Sequence, residues 1–394
     1  MKKEDKKNLT FYFNFGYKNF GPILVGFSNW LNEELKRRDI KKVFFLSRDG
    51  YIMKKAFDYI YGDKYNTKYF YASRRAIIVP SLWKLQKKDE IFDAILFSKD
   101  LTIDNFIKKI GLENYDLKEI LNKYGLKSDE KYELEKLKNN KNFNLFLEEI
   151  FPYIKENSKK EYECFEKYIK KMSFEGKLAI IDIGWNGTMQ NAIYNITKNN
   201  EIYGFYMGLC PTNNFYDNNA FKGFIFDKGH GLKNYEIIYK NFLTVFEFLT
   251  LAQHGSVKCF NKSESDVELY EYEYKGLKEE EISKKIQDGG MEYVKKHVND
   301  IISLKEAINH ILKVGKNPTL NDAKMLGDIR FMDNDFKYIA KNNANLFNIK
   351  KLLSEYKESS WKIGFMKRTL KINLPYYKIN EKLRNIYNKN KENN

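Results

Sequence analysis

Residues 177–188, Lys-Leu-Ala-Ile-Ile-Asp-Ile-Gly-Trp-Asn-Gly-Thr, constrain the fold more than any other stretch of this chain. Four consecutive apolar side chains, Leu178 to Ile181, read as a buried strand. The run ends in one acid, Asp182, and then in a tight loop, Gly184-Trp185-Asn186-Gly187-Thr188; a helical pattern opens at Met189. A strand that delivers an acid and a glycine-rich turn to a helix N-terminus builds an anion cradle. Backbone N–H groups converge there, glycine lets a phosphate approach, and the helix dipole favours negative charge. Asn186 and Thr188 add side-chain donors that turn geometry alone does not require. The plainer alternative is a generic turn in which Asp182 caps the following helix.

The same rhythm occurs elsewhere. Apolar positions Ile23, Leu24, Phe27, Trp30, Leu31 and Leu35 predict a helix over 21–38. Val43–Leu46 predicts a strand that ends in Ser47-Arg48-Asp49-Gly50, with a helix at about 51–60. A second strand, Lys68 to Ala72, runs into Ser73-Arg74-Arg75, and further strands are expected at Ile202–Leu209 and Phe221–Phe226. Short apolar strands alternating with single helices imply an α/β fold with a parallel sheet. From 89 to 172 apolar residues instead recur at helical intervals, as in Ile103, Phe106, Ile107 and Ile110. We read an α/β core over 20–88 and 173–262, interrupted by an all-helical insertion over 89–172. A helical C-terminal region follows over 263–360, then a basic tail over 361–394.

With 394 residues, 43% of them hydrophobic, the chain can bury a substantial core. Its net charge of +16 suits an anionic partner, although Lys/Asn/Ile/Tyr-rich usage raises lysine throughout. The positive charge is spread along the chain without a nucleic-acid motif, so no nucleic-acid partner is expected. Three scattered cysteines with no CxxC spacing support neither a disulfide framework nor a zinc site. No window approaches a spanning helix, which gives a cytoplasmic expectation. Trp361 to Arg384 mixes lysines with Phe365, Leu370, Tyr376 and Tyr377, a pattern able to lie on an anionic inner membrane face or to stay solvated.

Several residues are candidates for chemistry. Ser47-Arg48-Asp49-Gly50 stands at a strand's carboxyl end, the edge where open α/β sheets bind ligands, and glycine with a basic side chain there can hold a diphosphate. Arg74 and Arg75 follow a strand end in the same way, where a guanidinium meets a diphosphate bidentately. Glu247, His254 and Ser256 flank the end of an apolar helix expected at 235–252 that faces the same edge. Ordinary turns and surface ion pairs are the alternative for each. Asp333-Asn334-Asp335 echoes the Asp-x-Asp of nucleotide-sugar enzymes but lacks a preceding strand.

Read together, the two loops resemble the signature loops of type I phosphoribosyltransferases. One such loop cradles the pyrophosphate of phosphoribosyl pyrophosphate; the other follows an Asp-Asp strand end and grips the 5-phosphate. Here Ile181 replaces the first acid, and Gly184, Trp185 and Asn186 replace hydroxyl residues. Phe45-Leu46-Ser47-Arg48-Asp49-Gly50-Tyr51, Tyr71-Ala72-Ser73-Arg74-Arg75-Ala76 and Asp182 through Gln190 look closer still to one bacterial group. These are polysaccharide-biosynthesis proteins often fused to or beside a haloacid-dehalogenase phosphatase, some of which add ribofuranose to surface glycans.

The resemblance implies a phosphoribosyltransferase-like core and a glycosyltransferase that moves ribose 5-phosphate to a sugar hydroxyl of a lipid-linked or growing glycan, in capsule or O-antigen synthesis. It implies Mg2+ and a separate phosphatase downstream. Ser47, Arg48, Gly50, Arg74 and Arg75 would hold the pyrophosphate. Gly184, Trp185, Asn186, Gly187 and Thr188 would hold the 5-phosphate. Asp182 would meet the ribose hydroxyls, directly or through metal, Asp49 would serve as base, and the segment with Glu247, His254 and Ser256 would form an acceptor-side or closing loop. A dehalogenase-type phosphohydrolase and a non-catalytic scaffold of a glycan-assembly complex are the alternatives. The first needs a second acid two residues after Asp49, which the sequence lacks.

Overall fold

The computed structural model describes residues 3–210, 217–228, 231–262, 266–332, 335–343 and 348–392. Five parallel strands form its centre: β1 (Lys42–Leu46), β2 (Asn66–Phe70), β3 (Leu178–Trp185), β4 (Ile202–Leu209) and β5 (Phe221–Phe226), in the order β2-β1-β3-β4-β5. The register sets Lys42 beside Leu178 and Phe45 beside Ile181. The pleat sends Val43, Phe45, Ala179 and Ile181 to one face, where they pack with residues of the helices Gly21–Arg37 and Gly50–Tyr61. Phe44, Leu46, Leu178 and Ile180 face the other way, against Phe165 and Tyr168 of the helix Lys141–Met172 and Ile193 of the helix Thr188–Thr197. Burial on both faces is why these strands read as unbroken apolar runs rather than as alternation.

This mixed α/β architecture has a functional consequence. From β1 the chain moves outward to β2; from β3 it moves the opposite way to β4 and β5. At such a reversal the neighbouring strands' connections leave on opposite faces, and a crevice opens outside their carboxyl ends. The reversal lies between β1 and β3, the two strands that carry the glycine-containing loops.

Strand β3 runs further than its apolar core suggests. Gly184 pairs with Gly208 and Trp185 with Leu209, so the first loop residues are still in the sheet. Gly184 has φ +129°, and a Cβ there would meet the carbonyl oxygen of Gly208 at 2.2 Å, so only glycine fits.

The insertion is not all helical. Asp100–Thr102 pairs antiparallel with Lys131–Glu133 between its helices. Three-residue strands are too short to write a period-2 pattern. The segment keeps a core of its own, including Phe106, Phe143 and Ile150. The C-terminal region likewise contains short strands: Val267–Leu269 pairs antiparallel with Val257–Phe260 at the end of the core segment, and Arg330–Met332 pairs with Phe336–Tyr338. Ile286, Ala307 and Trp361 share one core with Val43 and Ile181. An N-terminal helix, Lys3–Phe15, precedes the first expected one. Asp333 and Asn334 of the Asp-x-Asp echo lie outside the described residues. Among the described residues no helix is long and apolar enough to cross a membrane.

Candidate functional site

A cleft of about 790 Å3 opens at the β1/β3 reversal. Ser47, Arg48 and Asp49 from the first loop line it together with Asp182, Gly184, Trp185, Asn186 and Thr188 from the second. Arg74, Glu247 and Ser256 complete its polar wall. A smaller cavity of about 300 Å3, between Tyr162 and Asn199, contains no residue of either loop.

The first loop is strapped to the end of β2. Ser47 Oγ donates to the Ala72 carbonyl at 2.7 Å and accepts from the Ala72 N–H at 2.9 Å. Its hydroxyl is therefore used in positioning, and what this loop offers a ligand comes from Arg48 and the backbone. Arg48 is paired with Glu273 at 2.5 Å and reaches the His254 carbonyl at 3.5 Å. Gly50, buried, opens the following helix. The Ser47–Arg48 and Gly184–Trp185 peptide bonds are both cis.

Arg74 and Arg75 part company. Ser73 caps their short helix by accepting from Ala76 N–H, and it donates to the Val257 carbonyl. Consecutive residues on a helix point about 100° apart. Arg74 is exposed on the cleft wall and makes no ion pair among the described residues. Arg75, expected to bind pyrophosphate beside it, is instead committed to Glu161 at 2.6 Å and Glu113 at 3.1 Å. Asn157 and Tyr270 complete that network through the two carboxylates. Arg75 ties the insertion to the core and stays off the cleft wall.

Asp182 is 9% exposed. Its pKa is pushed up to about 8, first by burial and then by the negative charge of Asp49; the Ile183 N–H and Arg74 oppose the shift. Asp49 is half-buried by area, yet its carboxylate sits deep enough that burial raises it too, against a hydrogen bond from Thr250 at 2.6 Å and the charge of Arg48. Two like charges share one enclosed site, so they titrate as a pair that retains a proton near neutrality.

The second loop divides its work. Trp185 stacks on Phe226 at 5.9 Å and meets Phe246 edge-on, while its indole N–H points to Glu247 at 3.3 Å. Expected to hold the 5-phosphate, its ring is instead a wall of the site, because its one donor is already used. Gly187, at φ +62°, turns the chain into the helix Thr188–Thr197, and Asn186 and Thr188 are exposed at that turn. His254 lies behind the wall rather than on it. Its Nδ1 donates to the Gly255 carbonyl at 2.8 Å, which leaves Nε2 to accept from the Tyr69 hydroxyl at 2.7 Å. Burial lowers its pKa, so the ring is neutral.

Thr250 and Glu273 belong to this site, and the helix residues Asn191 and Asn195 line the cleft further along; none of the four is apparent from sequence. A threonine closing the apolar run Leu243–Thr250 was the one available signal; Glu273 sits in a charged segment with nothing to distinguish it. No family model matches the chain, and no curated protein matches it. The arrangement brings an unpaired guanidinium, a helix N-terminus and a carboxylate pair to one cleft. Chemically, such a cleft suits anionic groups beside two carboxyls that share a proton.

Proposed function

We propose that the chain is a glycosyltransferase that uses phosphoribosyl pyrophosphate as donor and a sugar hydroxyl as acceptor. One observation carries this reading: the Ser47–Gly50 and Asp182–Thr188 loops line a single cleft at the β1/β3 reversal, with Arg74 on its wall. Two anion-binding elements flanking two carboxylates suit a sugar that bears a phosphate at one end and a diphosphate at the other.

Arg74 and the backbone of the first loop hold the departing diphosphate, and Arg48 joins them once released from Glu273. Asn186, Thr188 and the helix N-terminus hold the 5-phosphate. As the C1–O bond to pyrophosphate breaks, positive charge develops on the ribose, and the carboxylate pair stabilises it. The acceptor oxygen forms its bond to C1 and its proton passes to Asp49. A carboxylate whose pKa is raised toward neutrality is a better base than an ordinary one. Asp182, retaining a proton, donates to a ribose hydroxyl. The product is a ribofuranosyl 5-phosphate, which requires a separate phosphatase.

The donor set fits Mg2+, which binds through one or two carboxylates together with substrate phosphates rather than in an all-protein cage. Asp182 would hold the ion once its proton is displaced, in place of its hydrogen bond to the ribose hydroxyl, and the ion would then offset the charge of the diphosphate. The reaction belongs in the cytoplasm, and the basic C-terminal segment would bring the enzyme to an anionic inner membrane face. Mass spectrometry of candidate glycan acceptors incubated with phosphoribosyl pyrophosphate and Mg2+ tests the reading: an added pentose phosphate supports it. Phosphate release from sugar phosphates with no transfer would favour a hydrolase instead.

A further inference from the structure

The cleft continues past the sheet edge. Thr188, Asn191, Ala192 and Asn195 all line it, and their spacing of 0, 3, 4 and 7 marks one complete face of the helix Thr188–Thr197. Arg74, Ile77, Ile78 and Ser81 line it from the opposite side with the same spacing, through the helix Arg74–Ile78 and the 3-10 turn that continues it. Seven residues of helix at 1.5 Å each make this groove roughly 10 Å long. The insertion closes its far end with Phe92, Leu96 and the exposed carboxylate Asp93, which would repel a phosphate, and Leu96 is 77% exposed. Lys109 donates to the Leu96 carbonyl at 2.8 Å, which fixes that rim in place.

The chemistry changes along the groove. At the sheet edge it is charged. Beyond Arg74 the two helix faces carry no ionisable side chain: amides at Asn191 and Asn195, a hydroxyl at Ser81, and aliphatic surface from Ile78, with Ile77 buried. Amides one turn apart stand about 5–6 Å from each other. Such a surface offers nothing to a second phosphate. It matches an uncharged ring that presents hydroxyls along its edge and C–H groups on its face.

We infer that this groove is the acceptor subsite, that it takes an uncharged, hydroxyl-bearing ring, and that the insertion supplies its outer wall. The inference rests on the proposed transferase reading for the direction of the reaction, but its ligand chemistry comes from the groove itself. It also moves the acceptor away from His254, which is engaged behind the wall.

Saturation-transfer NMR with octyl glucoside and octyl galactoside, with glucose 1-phosphate as a charged control, tests it. Ring protons of the octyl hexosides are expected to saturate, and more strongly than those of the phosphate. In Asn191→Ala/Asn195→Ala and in Leu96→Asp the effect should fall about tenfold, as expected for losing one or two neutral hydrogen bonds or gaining a charge. Phosphoribosyl pyrophosphate affinity in the same variants should stay within about twofold of wild type, because none of the three residues belongs to the loops assigned to the donor. Equal saturation in wild type and variants, saturation of the alkyl chain alone, or none at all would overturn the subsite. Ring saturation without any donor binding would leave the groove standing and remove the donor.

Discussion

Asp49 and Asp182, at the ends of two neighbouring strands, share one enclosed site in which the charge of Asp49 raises the proton affinity of Asp182. A group whose pKa is raised in the fold keeps its proton where the unfolded chain has already released it.

Stability should therefore fall with pH over a defined window. Asp182 binds a proton in the fold up to about pH 8, while its ordinary value is 3.8. Its stabilising contribution is complete below that ordinary value and is lost as pH rises through about 8. The amplitude is on the order of a few kcal/mol. Asp182→Asn should remove most of this decline and be the more stable protein at pH 8. Urea unfolding of both at pH 5 and pH 8, without donor or divalent cation, measures it; parallel pH dependence would show that the carboxylate is not enclosed.

The adjacent arginines should separate cleanly. Arg75→Ala strands Glu113 and Glu161 without their cation, so a loss of about 3–5 kcal/mol is expected. Arg74→Ala removes an exposed side chain and should change stability by less than about 0.5 kcal/mol, while weakening donor binding. Denaturant titration and calorimetry on the two variants give both numbers.

Thr250→Val should deprive Asp49 of the hydrogen bond that opposes its upward shift. The acid limb of the transfer rate against pH should move to higher pH, and the rate near neutrality should fall by about tenfold or more. Thr250→Ser should restore both. An unmoved limb with an unchanged rate would take Asp49 out of the proton path.

The C-terminal helices offer a membrane test. Ile349, Leu353, Leu370, Ile372, Leu383 and Ile386 are exposed apolar side chains. Lys350, Lys351, Lys357, Lys371, Lys378 and Lys382 are exposed among them. Co-sedimentation with phosphatidylglycerol-containing vesicles is expected, weakening as salt is raised, and little with neutral vesicles. Leu383→Glu/Ile386→Glu should reduce it severalfold. Equal binding to neutral vesicles would mean that charge is not the attraction.

The sheet was legible because burial on both faces leaves continuous apolar runs such as Val43–Leu46 and Leu178–Ile181. The loops were legible because glycine and acid follow those runs directly. Side-chain commitments were not. Nothing local distinguishes Arg74 from Arg75; the difference is made by Glu113 and Glu161, which fold back from the insertion. Trp185 sits in a glycine-rich loop yet packs on Phe226, a neighbour that only the strand order supplies. The helix Lys3–Phe15 was missed because its charged first turns mask its buried side, Tyr12 and Phe15.

Calorimetric titration of phosphoribosyl pyrophosphate with Mg2+ into wild type, Arg74→Ala and Asn186→Ala is the most direct measurement of whether both loops grip one ligand. A single saturable site is expected in wild type. Each substitution, in a different segment lining the cleft, should weaken it about tenfold or more through lost contacts to phosphate. No binding in wild type, or full affinity retained after either substitution, would contradict the claim that the two loops hold the same molecule.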